Sequence, residues 1–205
     1  MASPCPEASF DVLYVVREMG KQQFAVTSPE VQLFCYLSCL LGLYDGRPVA
    51  DWGYEFAATP SIAPFSTACG DSLEALEFKR FLHEKDGAYS ITASGVTELE
   101  RWGRLSLFRG RIAYLSGATG AATAIPVAAL SNGVALDPQI VRATRLHDSR
   151  PLLEEVGLSS VYEQFRALES ALGGEVRDFM VPAVVWLSYL LRQEEKNAEN
   201  PSGGR

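Results

Sequence analysis

The chain has 205 residues, of which 47% are hydrophobic and 21% charged, so it carries enough apolar side chains to fill a core. Its 25 acidic and 18 basic side chains leave a formal charge of -7, which argues against a mainly electrostatic grip on DNA, RNA or anionic lipid. The best apolar run, Phe179 to Leu191, is shorter than the roughly 20 residues of a membrane span. The N-terminus lacks a basic region followed by an apolar stretch. A cytoplasmic location without membrane contact is therefore expected.

Residues 1–28 read as an N-terminal arm and a short helix. Residues 1–9 contain Pro4, Pro6 and small side chains, which predict an irregular arm. A helix from Asp11 to Met19 follows and closes at Gly20. A strand through Val12 to Val16 competes with it, because β-branched residues favour sheets.

Residues 29–104 read as a winged-helix domain. Ser28 caps a helix with Pro29 in its first position and Glu30 near the positive end of its dipole. The run from Val31 to Gly42 is apolar on nearly every side, which marks a central helix. A turn over Tyr44 to Pro48 comes next. Trp52, Tyr54 and Phe56 alternate, suiting a short strand or an extended, partly buried loop. Ala57 to Phe65, with Pro60 and Pro64, is expected to be irregular. The next helix runs from Ser72 to Glu84, with Leu73, Leu76, Phe78, Phe81 and Leu82 on its apolar side. Asp86-Gly87 supplies the turn of a hairpin, since both residues tolerate positive φ. Tyr89 and Ile91 share one face of its second strand. Thr92, Ser94 and Gly95 open a helix that ends at Trp102.

Residues 105–196 read as a helical C-terminal region. Helices are expected at Leu105 to Leu115, from Asp137-Pro138 through Leu146, over Pro151 to Val156 and over Val161 to Leu172. Ser116 to Gly120 is expected to break the first. Ala121 to Leu130 is small and apolar, and Ser131-Asn132-Gly133 reads as a turn. Gly173-Gly174 precedes a last helix, Glu175 to Gln193, that Pro182 should kink or divide. The chain is polar from Glu194, and residues 197–205 are expected to be a disordered tail. The fold class is mainly α with a small β hairpin: a winged-helix domain plus a helical C-terminal extension.

No catalytic motif stands out. Gly110 to Gly120 lacks the spacing of a phosphate loop, and no G-x-S-x-G is present. Cys35 and Cys39 share a helix face among apolar neighbours and read as buried thiols. His83 reads as a solvated helix-end residue. Beside His147, Asp148 either caps the following helix or orients the imidazole. No catalytic, cofactor-binding or metal-binding residue is assigned. Two groups of contact candidates remain. Lys79, Arg80, Lys85, Arg101, Arg104, Arg109 and Arg111 suit phosphate or an acidic protein. Trp52, Tyr54, Phe56 and Phe65 suit either an aromatic docking groove or the core.

Leu-Tyr-Asp-Gly-Arg-Pro-Val at 43–49, Tyr54-Glu-Phe56, Pro-Phe-Ser at 64–66, an apolar helix, and Gly-Ala-Tyr-Ser-Ile-Thr-Ala-Ser-Gly at 87–95 follow one another in a winged-helix pattern. The order resembles bacterial Panacea/SocA-like antitoxin domains and related accessory proteins of phage-defence operons. The resemblance covers residues 29–102. Ala63-Pro64 stands where those proteins place a glycine-proline. It implies a protein-binding or adaptor role and brings no catalytic residues.

The expected function is a non-catalytic interaction subunit whose partner is another protein, itself, or both. The alternative is a dimeric winged-helix transcriptional regulator. DNA is disfavoured by Asp71, Glu74, Glu77 and Glu84 on the helix that would read it. An enzyme of unknown class is the third reading.

Overall fold

Helix α1 (Pro6–Lys21) takes in much of the expected arm, starting before Asp11. Pro6 costs nothing there, because the first turn of a helix has no partner for its N–H. Phe10, Val12, Leu13, Val15, Val16 and Met19 are all buried, and burial around most of the cylinder selects helix over the competing strand. The computed structural model describes residues 5–59, 63–147, 149–153, 155–173 and 178–199.

Strand β1 (Val26–Thr27) leads into α2 (Ser28–Tyr44). The cap is Thr27, one residue before the expected Ser28. Its N–H donates to the Glu30 carboxylate at 2.7 Å, half of a capping box. Every residue from Val31 to Leu43 is buried, so α2 is the central helix its apolar run predicts.

A 3-10 turn over Val49–Trp52 replaces the expected extended piece. Strands β2 (Ala57–Ala58) and β3 (Pro64–Phe65) then pair antiparallel where irregular chain was expected. Helix α3 (Thr67–Phe78) starts and stops earlier than Ser72 to Glu84. It ends because Arg80 takes a left-handed φ of 59° and Phe81 N–H donates back to the Leu76 carbonyl at 2.9 Å. The freed segment becomes β4 (Leu82–Lys85), paired with β5 (Ala88–Ile91) from Leu82↔Ile91 to Lys85↔Ala88. Asp86 and Gly87 join them with φ of 54° and 79°, as a two-residue hairpin turn with right-handed strand twist requires. β5 also pairs with β1, giving the sheet order β1-β5-β4. α4 (Ala93–Trp102) follows, and Thr92 Oγ1 accepts from Gly95 N–H at 3.1 Å as its cap.

The expected helix Leu105 to Leu115 is two helices, α5 (Ser106–Arg109) and α6 (Ile112–Gly120). Ser116 to Gly120 continues α6 instead of breaking it. Gly117 is needed there by close approach: a Cβ would lie 2.5 Å from Phe179 Cβ. Past a 3-10 turn at Ala121–Thr123, α7 (Val127–Ala135) absorbs the expected Ser131 to Gly133 turn. Helix α8 (Pro138–Leu146) matches expectation. Arg150-Pro151 is not helical but forms β6 (Arg150–Pro151), which pairs with β2 and completes a sheet of order β3-β2-β6. α9 (Glu155–Leu172) runs straight through Gly157. In α10 (Met180–Glu199), Pro182 falls in the first turn, where it needs no kink, and the helix extends past Glu194. The rest of the expected tail, residues 200–205, and expectations at Pro4, Pro60, Asp148, Gly174 and Glu175 lie outside the described residues.

The chain is mainly helical with small antiparallel sheets. One contiguous core joins α1, α2 and α3 to α6, α7 and α10. Among the described residues no single helix is long and apolar enough to cross a membrane. Ser106–Thr123 and Val127–Ala135 meet at 114° and pack against α2 and α10.

Candidate functional site

Two regions concentrate chemistry, one sealed and one open. The sealed one forms where α1, α6 and the 3-10 turn after α2 meet. Asp11 lies among the apolar residues of α1, and Arg111 is the residue before α6. Both side chains have no solvent exposure. Arg111 Nε–H donates to Asp11 Oδ1 at 2.8 Å, and Nη2 donates to Oδ2, so the pair is bidentate. Arg111 Nη1–H reaches the Trp52 carbonyl at 2.7 Å, and the guanidinium sits 3.9 Å from a Trp52 ring centroid. Tyr54 O–H donates to Asp11 Oδ2 at 2.7 Å. Burial pushes the Asp11 carboxyl above the ordinary carboxylate range, against the pull of Arg111 and Tyr54.

This arrangement corrects part of the sequence-based assignment. Arg111 faces inward and cannot join a surface patch. Trp52 and Tyr54 wall the ion pair, and Phe56 is buried with its ring set edge-on to Tyr36 at 5.3 Å. Of the four aromatic candidates, Phe65 alone is well exposed, at 43%. Cys35, Cys39 and Cys69 are buried. Desolvation raises the Cys35 and Cys39 thiols, which leaves them poor nucleophiles. Among the described residues no three His, Cys, Asp or Glu side chains converge as a metal site.

The open region lies where the end of α3 meets the α4–α5 corner. A groove of about 370 Å³ runs between Pro6, Lys79, Trp102, Leu105 and Leu107. Phe108 forms part of its wall and is backed by Phe10, whose ring stacks on it at 4.6 Å and 10°. Leu105 and Leu107 remain 51% and 52% exposed. Phe78, next in the chain to the groove residue Lys79, projects from the last turn of α3 with 87% of its surface in solvent. Asp71 and Glu74 are exposed on the same face of α3, at spacings of three and four from each other and from Phe78.

The other six basic candidates are exposed. Lys79 lines the groove. Arg104 and Arg109 flank its leucines in the chain, and Arg109 Nη2 donates to the Arg104 carbonyl at 3.1 Å. Arg101 pairs with Glu98. Lys85 lies on the hairpin. Arg80 serves the backbone: its carbonyl accepts from Thr92 Oγ1 at 2.8 Å and Ser94 Oγ at 3.0 Å. His83 is an exposed strand residue and not a helix end, and His147 is exposed with φ of 52°. The sequence missed Phe78 by placing it on the apolar side of a longer helix. The signal was its spacing: Leu73 and Leu76 define a stripe, and Phe78, two residues on, points away from it.

A second cleft of about 670 Å³ lies between the end of α1, β5 and α4, with Arg17, Lys21 and Glu100 among its walls. Glu18 already pairs with both of its cations. No known protein family, characterised protein or solved structure matches the chain.

Proposed function

We propose that the protein is a non-catalytic interaction subunit, with a winged-helix arrangement over its first half and helices α5 to α10 as an extension. Support for the arrangement comes from the element order α1, β1, α2, α3, β4, β5 and from the sheet order β1-β5-β4. In it α3 takes the place of a recognition helix, and the β4–β5 hairpin the place of the wing.

The observation that carries the function is the exposed face of α3, which presents Asp71, Glu74 and Phe78. Carboxylates there repel phosphates, and a base-reading helix needs cationic or amide side chains instead. An aromatic ring standing in water beside an apolar groove gains free energy when another protein covers it. The same adaptor role is implied by the resemblance to antitoxin and phage-defence accessory domains.

The test is fluorescence anisotropy of labelled duplexes with purified protein, at low and at physiological salt. Weak binding that disappears with salt, or none, is expected. Tight binding to one duplex that resists competitor DNA at physiological salt would overturn the interaction-subunit reading in favour of a regulator.

A further inference from the structure

We infer that the partner of this face is a second copy of the chain, each copy placing Phe78 in the other's groove. The inference rests on the protein-interaction reading and names the partner. An isologous interface needs a knob and a hole side by side on one surface, so that a two-fold axis between them engages both at once. Phe78 and the groove meet this condition, because Lys79, the next residue, lines the groove. Phe78 stays outside its own groove, at 87% exposure, while the groove's leucines are half exposed.

Charge matches the same geometry. The knob helix carries Asp71 and Glu74 on the face of Phe78. The groove residues include Lys79 and no carboxylate among the described residues. In the chain, the exposed Arg104 and Arg109 bracket the groove residues Leu105, Leu107 and Phe108. Glu7, adjacent to Pro6 in sequence, is turned away: it accepts from Cys5 Sγ at 3.4 Å and packs beside Gly53. Two copies related by the axis therefore set an acidic, aromatic helix face against an apolar, basic groove.

The experiment is sedimentation velocity of the full chain over a micromolar concentration series. A dimer is expected. Phe78→Ser should weaken it at least about tenfold, the loss of one well-seated aromatic anchor. Leu107→Asp tests the hole independently of the knob. Asp71→Lys with Glu74→Lys should also weaken the dimer, and adding Arg104→Glu with Arg109→Glu should restore it. Far-UV circular dichroism checks that each variant is folded. A wild-type monomer throughout the series, or a dimer that Phe78→Ser and Leu107→Asp leave intact, overturns the inference. A monomer that also ignores DNA leaves the interaction-subunit reading in place, with a different partner, so the two failures are distinguishable.

Discussion

Asp11 and Arg111, 100 positions apart, meet in a bidentate ion pair with no solvent contact. Each neutralises a charge that the core would otherwise exclude. Tyr54 O–H adds a bond to Asp11, and the Trp52 carbonyl accepts one from Arg111. Breaking such a pair from one side strands a buried charge, at a cost of about 3–5 kcal/mol. Arg111→Met should therefore lower the urea midpoint sharply. The double variant Asp11→Leu/Arg111→Met, which removes both charges, should recover most of the loss. If the single and double variants unfold at the same midpoint, the pair is not what ties α1 to α6.

The Thr92-Ala-Ser-Gly95 sequence closes the hairpin onto α4 by contact. Thr92 N–H donates to the Phe81 carbonyl at 3.0 Å. A Cβ at Gly95 would stand 2.2 Å from that same carbonyl oxygen. Gly95→Ala must push the start of α4 off the Phe81 backbone that joins α3 to β4 and should cost about 1–3 kcal/mol, the range for overpacking. Gly20, with nothing within 4 Å of its Cβ position, is the control: Gly20→Ala should leave the midpoint nearly unchanged. Equal effects at the two sites would contradict the contact.

The parts of the fold legible in the sequence are those fixed over a few residues. Asp86-Gly87 specifies its turn through φ, Thr92 its cap, and the run from Val31 to Leu43 its place at the centre. The end of α3 was not legible, because Phe81 and Leu82 extend a plausible apolar stripe and Arg80 carries no glycine-like signal for its left-handed φ. Tertiary pairing of Leu82 with Ile91 decides that boundary. The ion pair was invisible for a different reason: local periodicity holds no information about a partner on a distant helix. Asp11 did leave a trace, as a carboxylate inside the apolar series Phe10-Asp11-Val12-Leu13. A charge in such a place demands a partner, but nothing local to Arg111 marks it as that partner rather than as a surface cation.

The thiols should divide by exposure. Cys5 is partly exposed, whereas Cys35, Cys39 and Cys69 are buried. Alkylation needs a route to the sulfur, and burial withholds it from all three. Brief treatment of native protein with iodoacetamide should modify Cys5 first. The other three should react only after denaturant is added, as read by mass spectrometry of tryptic peptides. Early labelling of Cys35 or Cys39 would show that α2 opens locally.

Tyr114 should give the fold an alkaline limit. Its O–H donates to Asp45 Oδ2 at 2.6 Å. Burial, with the hydrogen bond and the charge of Asp45, pushes its phenol up from 10.0 to about 12. The folded state thus holds this proton more tightly than the unfolded chain does. The stability linked to it is fully present below pH 10.0 and is lost as pH rises through about 12. Tyr114→Phe keeps the ring against Phe179, at 4.9 Å, but deletes the donor. At neutral pH it should cost about 1 kcal/mol, the usual net worth of a hydrogen bond. That cost should shrink as pH rises, because the wild-type phenol must then ionise beside a carboxylate. Tyr14, Tyr36 and Tyr54, also raised by burial, are shared by both proteins and cancel in the difference. Melting temperatures of wild type and variant should therefore converge under alkaline conditions. A gap that stays constant from neutral pH to about pH 12 would mean that Tyr114 and Asp45 are not bonded in solution.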